Sequence, residues 1–257
     1  MSSSSEFPKI ALVTGGSRGL GKSTVLHLAK RGADVVFTYR RAQADADAVV
    51  AAVEALGRRA VVLPLDVGDV ASFAGFVTSL RQALRTTLGR EQLDFLVNNA
   101  GLGHHALFAQ TSEAQFDELM NVHFKGPFFL TQALLPLLAD GGRIVNLSSG
   151  LARFAMPGYA AYAAMKGAIE VLSRYLAKEL GSRHIAVNTV APGAIETDFG
   201  GGQVRDNPQL NAFIAGQTAL GRVGVPDDIG AAVASLLSDE NRWINGQRIE
   251  ISGGMFL

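Results

Sequence analysis

Residues 9–21 read Lys-Ile-Ala-Leu-Val-Thr-Gly-Gly-Ser-Arg-Gly-Leu-Gly, and residues 22–30 continue Lys-Ser-Thr-Val-Leu-His-Leu-Ala-Lys. A short apolar run, a glycine-rich turn and a helical pattern in that order predict a strand, an anion-binding loop and a helix. The glycines permit a sharp turn and close approach of an anion, and the helix N-terminus adds partial positive charge. Two readings fit the loop. Residues 16–23 (Gly-Ser-Arg-Gly-Leu-Gly-Lys-Ser) satisfy the P-loop pattern, with Asp66 placed as a magnesium ligand, which makes an ATP or GTP hydrolase a rival. Alternatively Gly15, Gly19 and Gly21 cradle a dinucleotide pyrophosphate. The loop alone does not choose.

Outward from this unit, apolar runs at 9–13, 35–39, 60–65, 93–97, 143–147, 185–190 and 248–251 alternate with helix-length sequence. Near-continuous hydrophobic strands joined by helical crossovers predict a parallel seven-stranded sheet with helices on both faces, the doubly wound α/β Rossmann architecture. No repeat or linker divides the chain, so one domain is expected over 9–257, after a flexible tail at 1–8. The stretch Gly200-Gly201-Gly202-Gln203 precedes only a weak helical pattern, and 199–217 is read as a substrate lid.

Lys and Arg total 23 against 23 Asp and Glu, hydrophobic residues make up 48%, and cysteine is absent. This balance supplies no field to recruit nucleic acid or a membrane surface, and excludes disulfides and thiolate chemistry. Small neutral ligands and a cytoplasmic location are the expectation. His27, His123 and His184 show no metal-ligand spacing, so no metal is expected.

Tyr162 and Lys166 stand four residues apart on a helical pattern, with Ser149 thirteen residues before the tyrosine. An ammonium on the same helix face would favour the ionised phenol and lower its pKa toward working pH, while Ser149 holds a substrate oxygen. The competing interpretation pairs Lys166 with Glu170, also four residues on, and leaves Tyr162 as packing. A P-loop enzyme gives no reason for this spacing, whereas a dinucleotide-dependent reductase uses all of it.

Together, Thr14-Gly-Gly-Ser-Arg-Gly-Leu-Gly21, Asp66-Val67, Asn98-Asn99-Ala100-Gly101, Asn121, Ser149, Tyr162-x-x-x-Lys166, Pro192-Gly193 and Thr197 resemble the single-domain short-chain dehydrogenase/reductases from about Lys9 to the C-terminus. The C-terminal segment is similar to that of 3-oxoacyl-carrier-protein reductases. The resemblance implies Tyr162 as acid/base, Ser149 as carbonyl polariser, and Lys166 on the nicotinamide ribose. It implies that Asn121 distorts a helix and positions a proton-relaying water. For the cofactor it implies Gly15, Ser17, Arg18, Gly19, Leu20 and Gly21 at the phosphates, and Asp66 and Val67 at the adenine. Asn99, Ala100 and Gly101 would border the adenine-side ribose, and Pro192, Gly193, Ile195 and Thr197 the nicotinamide end. Asn98 is expected to be structural. A homotetramer built through 116–138, 159–180 and the C-terminal strand is also implied.

NAD-specific relatives carry a carboxylate where this chain has Tyr39, and Arg40, Arg41 and Arg18 offer guanidinium groups to a ribose 2′-phosphate, so NADP(H) is the expected cofactor. Thr38 could add a hydroxyl contact. The flanking segments, with Leu102, Leu107, Phe108, Leu151, Phe154, Met156, Phe199 and Phe213, suggest a hydrophobic ketone or acyl-thioester substrate, with Arg153 and Arg205 as the available anion hooks. His104 and His105 read as loop bystanders. A non-catalytic NADP-sensing protein on the same fold is disfavoured because Tyr162 and Lys166 are both present.

Overall fold

A computed structural model describes residues 8–257, and all but residue 8 of the tail expected over 1–8 lies outside them. Strands β1 (Ile10–Val13), β2 (Asp34–Tyr39), β3 (Ala60–Pro64), β4 (Leu93–Asn98), β5 (Leu138–Leu147), β6 (Ala186–Pro192) and β7 (Arg248–Ile251) form one sheet in the order β3-β2-β1-β4-β5-β6-β7. Every neighbouring pair is parallel. The seven expected runs match these strands, except that β5 starts earlier, through an irregularity in register between Leu93 and Phe95 of its partner β4.

Alternate residues of the central strands feed two cores. Ile10 and Leu12 of β1 face one side with Val36; Ala11 and Val13 face the other with Val35 and Phe37. On the first side lie α3 (Phe73–Thr86), α5 (Gly126–Leu134) and α6 (Ala160–Glu179), the last two preceded by α4 (Glu113–Met120). Helix α3 shows why it docks there: Phe73, Phe76, Leu80, Ala83 and Leu84 are buried at three- and four-residue spacing. On the second side lie α1 (Gly19–Lys30), α2 (Gln43–Ala55) and α9 (Pro226–Leu236). Gly230 of α9 abuts Ser23 of α1 so closely that a Cβ would sit 2.6 Å from its carbonyl carbon. That contact buries the first turn of α1 against another helix.

The segment read from sequence as weakly ordered is largely helical. It contains a 3-10 turn (Phe199–Gly202), α7 (Gln203–Asp206) and α8 (Pro208–Gly216), with Asn207 capping α8 through the amides of Gln209 and Leu210. Gly200, Gly201 and Gly202 all have φ between 61 and 76°, so three consecutive left-handed residues form the entry to these helices.

Candidate active site

The order of strands reverses between β1 and β4, and the carboxyl ends of the strands converge on the crevice beside that point, where doubly wound sheets bind ligands. The glycine loop leaves β1 there, and long-range hydrogen bonds fix it. The amide of Gly15 donates to Thr38 Oγ1 at 3.1 Å and that of Gly16 to the Thr38 carbonyl at 2.8 Å. Thr38 is therefore used inside the fold and is not free to contact a ribose. Thr14 Oγ1 accepts from the amides of Asn99 and Ala100, each at 3.0 Å, and Asn99 Nδ2 donates to the carbonyls of Thr14 and Gly15 at 2.8 and 3.2 Å. The side-chain nitrogen of Asn99, a residue expected to border the ribose, is thus committed to the loop.

Gly15 and Gly19 adopt positive φ of 67 and 54°. At Gly21 a Cβ would overlap the Gly15 carbonyl oxygen and lie 2.5 Å from Asn99 Nδ2. No side chain caps the first turn of α1 after Arg18, so the backbone amides there face the crevice available to an anion. A pyrophosphate fits this cradle. The P-loop alternative fits poorly: Ser23, which would bind magnesium, is buried and donates to Asp227 Oδ1 at 2.5 Å, while Lys22 points to solvent. Asp66, its proposed companion, follows β3 at the sheet edge, two strands from β1.

Exposed Arg40 and Arg41 follow β2, and Arg18 is exposed in the loop. Arg40 lies 3.8 Å from Asp66, and Arg18 lies 3.8 Å from Asp198 at the start of the 199–217 segment. Asp66 also accepts from the Gly68 amide, turning the chain after β3, and Tyr39 lies half-buried beneath this surface. Val67 buries its side chain in the first core, while Ile195 is half-buried against the second. Gly193 packs on Ser252, while Pro192 ends β6 and Thr197 approaches Gly19.

At the nicotinamide end, Ser149, Tyr162 and Lys166 come together. Lys166 is buried, donates to the Leu147 carbonyl at 2.7 Å, and holds its ammonium 5.5 Å from the centre of the Tyr162 ring. It does not pair with Glu170, which instead accepts from Arg248 and Ser148. Burial pushes the lysine down to about 7. Burial also raises the Tyr162 phenol well above its usual value, opposed only in part by the neighbouring Ser149 hydroxyl. The lowering expected from the i,i+4 spacing is not realised, because both groups have left water and Tyr159 adds to the rise. Asn121 opens a π-helical turn, Asn121–Lys125, between α4 and α5, so the distortion implied at this residue is present.

That turn also places His123, a residue sequence reading assigned no role. It is buried, its Nε2 lies 2.6 Å from the Leu102 carbonyl, and its ring meets Tyr162 edge-on at 5.0 Å. Burial and the Lys166 charge hold its pKa well below the ordinary value. Phe199 packs on the opposite side of Tyr162 at 5.6 Å. His104, expected to lack a carboxylate partner, has one: Glu118 Oε2 is 2.6 Å away. His105 contacts Tyr159 edge-on at 5.2 Å.

Both expected anion hooks are already engaged. Arg153 makes two bonds to Glu250 and two to the carbonyls of Met255 and Phe256, and Arg205 pairs with Asp198 and Asp206. Phe154 packs against Phe256 rather than standing free. Leu107, Phe108, Phe199 and Phe213 are exposed, Leu102, Leu151 and Met156 half-buried. Asn98 is structural as expected, donating to Thr131 and Asn146 in a buried chain that ends on Ser173.

A nucleotide cradle at the switch point and a Ser–Tyr–Lys cluster with buried tyrosine and lysine at the carboxyl edge of the same sheet define a dinucleotide-dependent oxidoreductase. The family described as enoyl-(acyl carrier protein) reductase matches residues 15–256. The reductase LugOII, described as promiscuous and as catalysing keto-reduction at C1 in lugdunomycin biosynthesis, is 40% identical. It superposes with a TM-score of 0.92 over 98% of this chain and 99% of its own. The angucycline C-6 ketoreductase LanV, solved with bound NADP, is 36% identical, with a TM-score of 0.92 over 96% and 95%. Tetrahydroxynaphthalene reductase PfmaG of Pestalotiopsis fici is 35% identical over 96% of this chain and 91% of its own. The chain belongs to the short-chain dehydrogenase/reductase family.

Proposed function

We propose that this enzyme reduces a ketone with NADPH, and that the substrate is an uncharged, extended aromatic ketone. The observation that carries the reading is the convergence of half-buried Ser149 with buried Tyr162 and Lys166 at the mouth of the dinucleotide cradle. NADP(H) is the cofactor: Arg18, Arg40 and Arg41 stand around the adenosine end with no carboxylate at Tyr39, and LanV was solved with NADP. Held by the glycine loop with Arg18 and Arg40, NADPH would supply a hydride to the carbonyl carbon.

The chain's residues supply the rest. Ser149 donates a hydrogen bond to the carbonyl oxygen. Tyr162, kept protonated at neutral pH by burial, gives its proton to that oxygen as negative charge develops. Lys166, titrating near 7, stabilises the resulting phenolate and returns a proton to it. Asn121 opens the π-helical turn beside them and holds a relay water.

An aromatic substrate suits the apolar side chains at the entrance and the absence of a free arginine among those expected to hook an anion. The keto-reductions named for LugOII and LanV and the naphthalene substrate named for PfmaG support the same class. An acyl thioester is the second substrate to test. The helices around 199–217 close over the substrate, with Phe199 against Tyr162. The protein works in the cytoplasm as a homotetramer, formed partly through the exposed Phe116, Phe128, Phe129, Val171 and Tyr175 on α4 to α6. No described helix is long and apolar enough to cross a membrane.

The test is Tyr162→Phe, assayed by NADPH oxidation with a panel of polycyclic aromatic ketones and 3-oxoacyl thioesters. Turnover should fall by about 10²–10⁴-fold, with NADPH affinity within about twofold. Retained turnover refutes the assignment.

A further inference from the structure

The catalytic serine lies just past the point where the sheet can hold it. The last β5 to β6 pair is Leu147 with Val190, and the final backbone bond is from the Ser148 amide to the Val190 carbonyl at 2.7 Å. The Ser149 peptide continues extended into the turn Gly150–Ala152. Its carbonyl accepts from the Ala152 amide at 3.1 Å within that turn and, from a side chain 99 residues away, from the guanidinium of Arg248 on β7 at 3.3 Å.

The other two arms of that guanidinium are fixed. Arg248 Nε donates to Glu170 Oε1 at 2.7 Å and its second terminal nitrogen to Glu250 Oε2 at 2.8 Å. Glu170 Oε1 also accepts from the Ser148 hydroxyl at 2.6 Å. Glu250 is held in turn by Arg153, which reaches the carbonyls of Met255 and Phe256. A charge-balanced chain of two arginines and two glutamates therefore runs from α6 to the C-terminal segment and grips residues 148 and 149 from behind. A planar, bidentate donor between two carboxylates has little freedom, so the atom it presents to Ser149 is stationary. Lys166, one turn before Glu170, grips the preceding carbonyl, of Leu147.

We propose that Arg248, braced by Glu170 and Glu250, is a positioning residue that sets the Ser149 peptide, and through it the direction of the Ser149 hydroxyl. This deepens the proposed function, since it rests on Ser149 polarising the substrate carbonyl. Displacing a polarising group by about 1 Å costs up to about 10²-fold in rate. The nucleotide cradle hangs from β1, β2 and β4 and does not depend on this brace.

The experiment is a double-mutant cycle between Arg248→Ala and Ser149→Ala, with kcat, ketone KM, NADPH affinity by fluorescence titration and the melting temperature measured for each variant. Arg248→Ala should lower kcat by about 10- to 100-fold, leave NADPH affinity within about twofold, and cause no further loss of kcat in the Ser149→Ala background. Equal fold-losses in the two backgrounds overturn the proposal, as does a joint fall of kcat and NADPH affinity, which marks general loosening. If Ser149→Ala itself keeps full turnover, the functional reading fails and the positioning role with it. If Ser149→Ala is inactive and Arg248→Ala is unimpaired, only the positioning role fails. Arg248→Met, which keeps the length of the side chain but removes every donor, is carried through the same cycle should Arg248→Ala fold poorly, and is judged by the same outcomes.

Discussion

Gly21→Ala tests the nucleotide cradle by adding one methyl group where the structure leaves no room. The new carbon would overlap the Gly15 carbonyl oxygen, lie 2.5 Å from Asn99 Nδ2 and 2.8 Å from the Gly15 carbonyl carbon. The loop cannot retreat cheaply, because Gly15 and Gly16 are bonded to Thr38 and the Asn99 amide is bonded to two loop carbonyls. Overpacking of this kind costs about 1–3 kcal/mol. The gain in helix propensity returns up to about 1 kcal/mol, since position 21 lies in the first turn of α1. The net effect on folding is therefore a loss of about 0–3 kcal/mol. The loop absorbs the clash by moving Gly15 away from α1, which takes the uncapped amides out of register with a pyrophosphate. NADPH affinity should fall at least tenfold, equivalent to about 1.4 kcal/mol. The assay is fluorescence titration with NADPH beside urea unfolding. Gly75→Ala in α3, where a Cβ meets nothing within 4 Å, is the control and should be stabilising by about 0.5–1 kcal/mol with unchanged affinity. Unchanged NADPH affinity in a folded Gly21→Ala protein refutes the reasoning.

Three further outcomes are expected. Arg40→Ala should weaken NADPH binding by about tenfold or more while NADH binding changes less than twofold, a charge-assisted phosphate contact being lost; equal losses in isothermal titrations remove Arg40 as the 2′-phosphate reader. Ser23→Ala should leave NADPH affinity unchanged and cost about 1 kcal/mol of stability through the lost bond to the exposed Asp227, whereas abolished nucleotide binding would restore the P-loop reading. Glu250 is held down to about 2, first by Arg153 and then by Arg248 and Ser252 against the cost of burial. A lowered carboxylate pKa adds stability above its unfolded value of about 4.5, lost as pH falls through about 2. The stability gap between the parent protein and Glu250→Gln, followed by urea unfolding, should thus be as large as about 3 kcal/mol near neutrality and close between pH 5 and 2; a gap independent of pH contradicts the assigned partners.

The parts of this protein legible in its sequence are those with local causes. The glycine loop, the seven apolar runs and the Tyr162/Lys166 spacing each depend on residues within one turn or one strand, so periodicity and turn chemistry identify them. The distortion at Asn121 came from resemblance, since nothing local in Asn-Val-His-Phe-Lys announces a π-helical turn. Pairing across the chain decided the rest. Thr38 and Asn99 were placed at the cofactor by sequence, yet their polar groups hold the loop, because only the sheet brings β2 and β4 against the turn after β1. Glu170 stood as a partner for Lys166 at ideal spacing, and Arg153 as an anion hook, until β7 delivered Arg248 and Glu250 to them from some 80 to 100 residues away. The direction of the Tyr162 shift was also a tertiary matter: the same helix face that aligns it with Lys166 is sealed from water by the fold, and desolvation raises the phenol. Sequence singled out the residues proposed to carry the chemistry. Only the folded chain decided which of their atoms remain free to perform it, because a hydrogen-bonding group can be spent on a partner that no local pattern reveals.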